Sequence, residues 1–111
     1  MVAQNPEIVF YPDVVEHLDR LGKQLYDKGY FGFRKNAISY IQKMVDFIVA
    51  KIAVIPAIPA PEYFNRYGSN LHYIIYNSTK KTSWYIFFQQ IDNRFLIRHI
   101  TNNHVAGKYI R

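Results

Sequence analysis

The chain has 111 residues, of which half are hydrophobic and 17% aromatic, with a net charge of +6 and no cysteine. That length supports one domain over residues 1–111, and the apolar content argues against disorder beyond the ends. Disulfide scaffolds and thiolate metal sites are excluded, and the most apolar stretch, Val45 to Pro59, is too interrupted by Asp46, Lys51 and prolines to span a bilayer.

The N-terminal Met-Val-Ala-Gln-Asn-Pro-Glu has no basic region followed by an apolar run, so no signal peptide is expected and the location is read as cytoplasmic, with no membrane partner. Glu7 to Tyr11 is a short β-like run that Pro12 ends. Pro12 and Asp13 suit a helix start, because proline needs no donor in the first turn and a carboxylate complements the dipole. Val14, Leu18, Leu21 and Leu25 then form one apolar stripe, and His17 is placed on the polar side as a solvated residue. Gly29 is expected to end this helix, and Tyr30-Phe31-Gly32-Phe33 to form an aromatic linker.

A second helix is expected from about Lys35 or Asn36 to Lys51, with Ala37, Ile38, Ile41, Met44, Val45, Ile48 and Ile52 at 3–4 spacing. The two helices read as an antiparallel hairpin. Ile55 to Pro61 holds three prolines and is read as a stiff extended connector. Three strands follow, at 71–76, 83–88 and 94–100, each separated by a polar turn (Asn77 to Lys81, then Asp92-Asn93). Alternation puts Leu71, Tyr73 and Ile75 opposite His72, Ile74 and Tyr76, and Trp84, Ile86 and Phe88 opposite Tyr85 and Phe87. In the last strand it groups Phe95, Ile97 and His99 against Leu96, Arg98 and Ile100.

Charge follows this division. Residues 1–60 carry seven basic and six acidic side chains, whereas residues 61–111 carry seven basic and only Glu62 and Asp92. A net +5 concentrated in the second half favours an anionic partner such as nucleic acid, a ribosomal surface or an acidic protein.

No phosphate loop, no His-Glu-x-x-His and no Ser-His-Asp context is present, and the histidines are scattered at 17, 72, 99 and 104, so no metal or other cofactor is expected. What remains near the C-terminus is a set of cations, imidazoles and phenols: Arg66, His72, Arg98, His99, His104, Lys108 and Tyr109. These suit an RNA phosphodiester. Attack by the 2′-hydroxyl needs a base, an acid for the leaving oxygen and cations for the phosphorane charge. Tyr or Trp faces can stack on splayed bases. For each residue alone a structural role competes: a satisfied strand histidine for His99, an ion-pair partner for Arg98, a tail residue for Tyr109.

The order of elements, with Phe10-Tyr11-Pro12-Asp13 entering the first helix, Arg66-Tyr67-Gly68-Ser69-Asn70-Leu71-His72-Tyr73-Ile74-Ile75-Tyr76, Ser-Trp-Tyr-Ile-Phe-Phe and Phe95-Leu-Ile-Arg-His-Ile100, resembles the RelE/ParE superfamily of bacterial toxins. The resemblance covers nearly the whole chain without a sharply diagnostic motif. It implies an α+β fold: an N-terminal strand and a two-helix hairpin packed on an antiparallel sheet of about four strands. It also implies the toxin of a type II toxin–antitoxin pair, neutralised by a cognate antitoxin. RelE-like members cut mRNA on the ribosome; ParE-like members inhibit DNA gyrase without known RNA chemistry.

The chain departs from the nuclease pattern at Tyr73, where such members carry an arginine. By this resemblance the candidate catalytic residues are Arg66, Arg98, His99, His104 and Tyr109, with Lys80, Lys81 and Lys108 as RNA-binding cations. Glu62 reads first as an ordinary loop residue and second as a carboxylate base. The leading expectation is a growth-inhibiting, ribosome-dependent mRNA endoribonuclease. A gyrase-binding inhibitor and an inactive partner-binding module on the same scaffold are the alternatives.

Overall fold

The computed structural model describes residues 5–27 and 34–110. Strand β1 (Glu7–Phe10) runs through Tyr11 into helix α1 (Pro12–Asp27), and α2 (Arg34–Lys51) follows. Pro12 and Asp13 do open α1, with Asp13 in its first turn. Val14 N–H and Val15 N–H both donate to the Tyr11 carbonyl, so Tyr11 caps the helix through its backbone. The expected stop at Gly29 and the linker Tyr30 to Phe33 lie outside the described residues. The chain then passes β2 (Ile58–Pro59), a 3-10 helix over Glu62–Tyr67, β3 (His72–Asn77), β4 (Ser83–Ile91), β5 (Arg94–Asn102) and the short α3 (Asn103–Ala106). A 3-10 turn over Gly107–Tyr109 completes the described chain.

The class is α+β, but the sheet is not the expected antiparallel four. It has five strands in the order β1-β5-β4-β3-β2, and β1 lies parallel to β5. Two causes account for the difference. The helical crossover returns the chain so that β1 flanks the last strand, with Glu7 N–H donating to the Asn93 carbonyl and Tyr11 N–H to that of Ile97. The proline-rich connector contributes a strand of its own, because Pro59 sits at the sheet edge, where a missing amide donor is tolerated.

Alternation holds through β3 and β4 and divides the core in two. On the helix side Ile74, Trp84, Ile86 and Phe88 pack with Val14, Leu18, Met44, Ile48 and Ile52. On the other side Tyr73, Tyr85 and Phe87 pack with Phe64 of the first 3-10 helix and Ala106 of α3. In β5 the pattern breaks. Phe88 pairs with Ile97 but Phe87 with His99, so Arg98 is an extra residue in a β-bulge. Ile100 therefore joins Phe95 and Ile97 on the helix side. His99, expected beside them, instead stacks on Tyr67 of the first 3-10 helix.

No helix among the described residues is long and apolar enough to cross a membrane.

Candidate functional site at the open edge of β5

β1 covers β5 only from Arg94 to Ile97. Beyond the bulge α1 leans over the strand, and a cavity of about 640 Å³ opens between α1, the first 3-10 helix, the β3–β4 turn and α3. His99, Ile100, Thr101 and Asn102 all line it. Successive strand side chains point to opposite faces, so four in a row reach one cavity only where it meets the strand edge.

Two imidazoles sit inside. His99 lies flat on the Tyr67 ring, with centroids 3.6 Å apart and planes 5° apart, and 5.8 Å from Phe87. Burial pushes its pKa down to about 4; His17 adds to the effect and Asp13 opposes it. His17 also lines the cavity and is half-buried, in contrast to the solvated position expected for it. Its pKa is lowered first by burial and then by Arg20, against a hydrogen bond to the backbone of Ile100. Both imidazoles are therefore neutral at pH 7. A third, His104, is exposed at the mouth, its Nε2 3.1 Å from Thr82 Oγ1.

The walls are held by short polar links. The Asn102 side chain accepts from the backbone N–H of His104 and Val105, starting α3 where the strand ends. Asn103 ties that turn to the hairpin: Ser83 N–H donates to its Oδ1, and its Nδ2 donates to the Lys81 carbonyl. Across the cavity Trp84 Nε1 donates to Tyr40 Oη at 2.8 Å, and Tyr40 Oη lies 2.7 Å from Ser78 Oγ. One chain of contacts thus joins α2, β4 and the β3–β4 turn.

The sequence-derived cations stand outside. Arg66 is exposed, its Cζ 4.3 Å above the ring of Tyr63, which lines the cavity. Tyr63 in turn stacks on Tyr109 at 3.6 Å, and Lys108 lies 5.1 Å from the Tyr109 ring. Tyr109 is thereby docked against the first 3-10 helix. Lys80 and Lys81 are exposed on the β3–β4 turn, whose Thr79 and Thr82 line the cavity, and Glu62 is exposed at the start of the first 3-10 helix.

Arg98 does not line the cavity. Its guanidinium lies 4.3 Å over Tyr11 and donates to Gln89 Oε1 at 2.9 Å, while Gln89 Nε2 donates to the Ser69 carbonyl. Gly68 sits beside this pair at φ 152°. A Cβ there would meet Gln89 Nε2 at 3.1 Å and Arg98 Nη1 at 3.4 Å, so both backbone and space call for glycine. Arg98 clamps the loop before β3 to the sheet. His72 lies away from the cavity, its Nδ1 3.3 Å from the Asn70 carbonyl.

The structure thus brings His99 and His104 to one cavity, sets Arg66, Lys108 and Tyr109 beside it through Tyr63, and leaves Arg98 apart. His17, expected as a solvated residue, lines this cavity, as do Tyr40, Tyr63 and Tyr67, for which the sequence suggested no role. A signal existed for His17, which precedes Leu21 and Leu25 by four and eight residues and so borders the buried stripe. Tyr63 and Tyr67 are likewise four apart, in a segment with no periodicity to single them out.

Among the described residues no group of three or more histidines and carboxylates is placed to hold a metal ion. No protein-family model matches the chain, and no curated protein or solved structure matches it significantly.

Proposed function

We propose that this chain is the toxin of a type II toxin–antitoxin pair and acts as a ribosome-dependent mRNA endonuclease. The observation that supports this reading best is one cavity that gathers His17, His99 and His104 with Tyr63 and Tyr67, has no carboxylate in its lining among the described residues, and has cations just outside it.

In this reading neutral His99 takes the proton of the 2′-hydroxyl. The 2′-oxygen attacks phosphorus, the bond from phosphorus to the 5′-oxygen breaks, and His104 acts as the acid that delivers a proton to that oxygen. A 2′,3′-cyclic phosphate and a 5′-hydroxyl result. The phosphate stays at the cavity mouth beside His104, and its negative charge raises the depressed pKa of His99 toward a useful basicity. Arg66 and Lys108 neutralise flanking phosphates. Cell-free translation followed by primer extension along the message tests the reading: codon-specific stops are expected with the wild type and are lost with His99→Gln. Their absence from the wild type in the presence of ribosomes sinks it.

A gyrase-binding inhibitor is the second reading, favoured by a different observation. Tyr73, where nuclease relatives carry arginine, is buried against Tyr85 and Phe87, and Arg98 is engaged with Gln89 and Tyr11 instead of replacing that charge. Loss of supercoiling in a purified gyrase assay, with no message cleavage, selects it.

A further inference from the structure

The cavity and its cations are chemically segregated. Arg66 and Lys108 reach the aromatic rings of Tyr63 and Tyr109, but among the described residues none that lines the cavity is Arg, Lys, Asp or Glu. The imidazoles inside are uncharged at pH 7, because burial lowers both. A phosphate entering this space would shed its hydration with no formal charge to meet it. A flat, uncharged ring suffers no such loss.

The geometry also suits a ring with hydrogen-bonding edges. Tyr67 and His99, stacked on each other, both line the cavity, and Leu21 and Leu25 of α1 supply apolar surface. The strand edge supplies the polar side. Beyond Ile97 no described strand pairs with β5 on the side away from β4, so alternate peptide groups of that stretch face α1, where His17 meets the Ile100 backbone. A peptide edge offers a donor and an acceptor side by side, the pattern that the edge of a nucleobase complements. The volume of about 640 Å³ falls within the range of ordinary small-molecule sites.

Resting on the RNA reading above, we infer that this cavity holds one nucleobase splayed out of a single strand, read by the open edge of β5, while the adjoining phosphates stay outside on Arg66 and Lys108. The base is thereby selected by an uncharged site and the backbone by a charged one. His17, which occupies the Ile100 backbone in the free protein, is the positioning group that an incoming base displaces or adopts as a partner.

The test uses free nucleosides and the full chain. Trp84 is the only tryptophan and lines the cavity, so its emission reports occupancy. Adenosine, guanosine, cytidine and uridine are titrated in turn, with ribose 5-phosphate and inorganic phosphate as charged probes. At least one nucleoside is expected to give a saturable change with a dissociation constant on the order of 1 mM, and the charged probes none. Gln24→Phe and Val105→Phe enter the cavity from α1 and α3 at exposed positions, and each is expected to weaken the response about tenfold. Retention of the wild-type unfolding midpoint shows that these variants fold.

No response to any nucleoside up to roughly 10 mM, or an equal response to ribose 5-phosphate, overturns the inference. So does a response to an uncharged extended tetrapeptide alone, which would assign the strand edge to a protein partner. Free nucleosides need neither ribosome nor cleavage. Nucleoside binding without message cleavage therefore upholds the base site and sinks the nuclease. Cleavage that persists in both variants, with no nucleoside response, does the reverse.

Discussion

The two faces of the sheet are closed by different means. On one side two helices of 16 and 18 residues lay aliphatic stripes on Ile74, Ile86, Ile97 and Ile100. On the other, a six-residue 3-10 helix, a four-residue α-helix and a three-residue turn cover Tyr73, Tyr85 and Phe87. Such short elements cannot bury a face by length. They do so with rings: Phe64 stacks on Phe87 at 4.3 Å, Tyr67 on His99 at 3.6 Å and Tyr63 on Tyr109 at 3.6 Å. Each ring covers a large area from a single anchor point. The candidate site lies where this patchwork meets the helices, and the difference teaches that the regular face supplies rigidity while the irregular one leaves room.

The largest effect should test whether the patchwork is core or mere cover. Phe64→Ala is expected to cost about 3–5 kcal/mol, comparable to about 2–5 kcal/mol for Ile48→Ala on the helix side. Both losses should appear as one shifted urea transition. An unchanged midpoint for Phe64→Ala would mean that the irregular face is not part of the cooperative unit.

The second effect is tied to pH. His99 titrates near 4 when folded, against an ordinary value of 6.5. Between those values the unfolded chain holds the extra proton, so stability is full above about pH 6.5 and falls on acidification toward pH 4. The drop is up to about 3 kcal/mol by linkage. His99→Phe keeps a ring on Tyr67 and should flatten that slope. A variant that loses stability between pH 7 and 4 as steeply as the wild type would remove His99 as the cause.

Tyr40→Phe comes next, at about 1–2 kcal/mol, since the buried Trp84 N–H loses its acceptor at the seam between the two regions. Thermal unfolding checks it, and no change would show that another group or water satisfies the indole. Asn102→Ala should cost about 1 kcal/mol through loss of the α3 cap. Amide exchange at His104 and Val105 should rise while the helix side stays protected; unaltered exchange there would show that α3 does not depend on its cap.

Legibility from sequence follows the same boundary. The helices and the β3–β4–β5 meander were readable because a stripe such as Val14, Leu18, Leu21 and Leu25, or the alternation from Trp84 to Phe88, repeats with the period of its element. The 3-10 helix over Glu62–Tyr67 and the short α3 carry no such period, so the segments that complete the cavity went unseen. β2 was legible only as extended chain, because the three prolines of the connector Ile55 to Pro61 fix backbone shape without naming a neighbour. Of the site, chemical type identified His99 and His104 but could not say which way Arg98 points. That depends on an irregularity of pairing with β4, and pairing is a property of two strands together.

That irregularity has a consequence for length variation along the chain. In a two-residue repeat a single surplus residue acts as a parity switch: everything after it is exchanged between the faces. Carried in regular pairing, Arg98 would turn His99 inward beneath the helices and Ile100 outward; the bulge absorbs it, so that deleting Arg98 would leave Ile97, His99 and Ile100 on the faces they now hold. A strand shorter by that one residue would keep the imidazole on Tyr67 and lose only the Arg98 contacts to Gln89 and Tyr11, whereas a surplus residue taken up without a bulge would carry the imidazole to the other face.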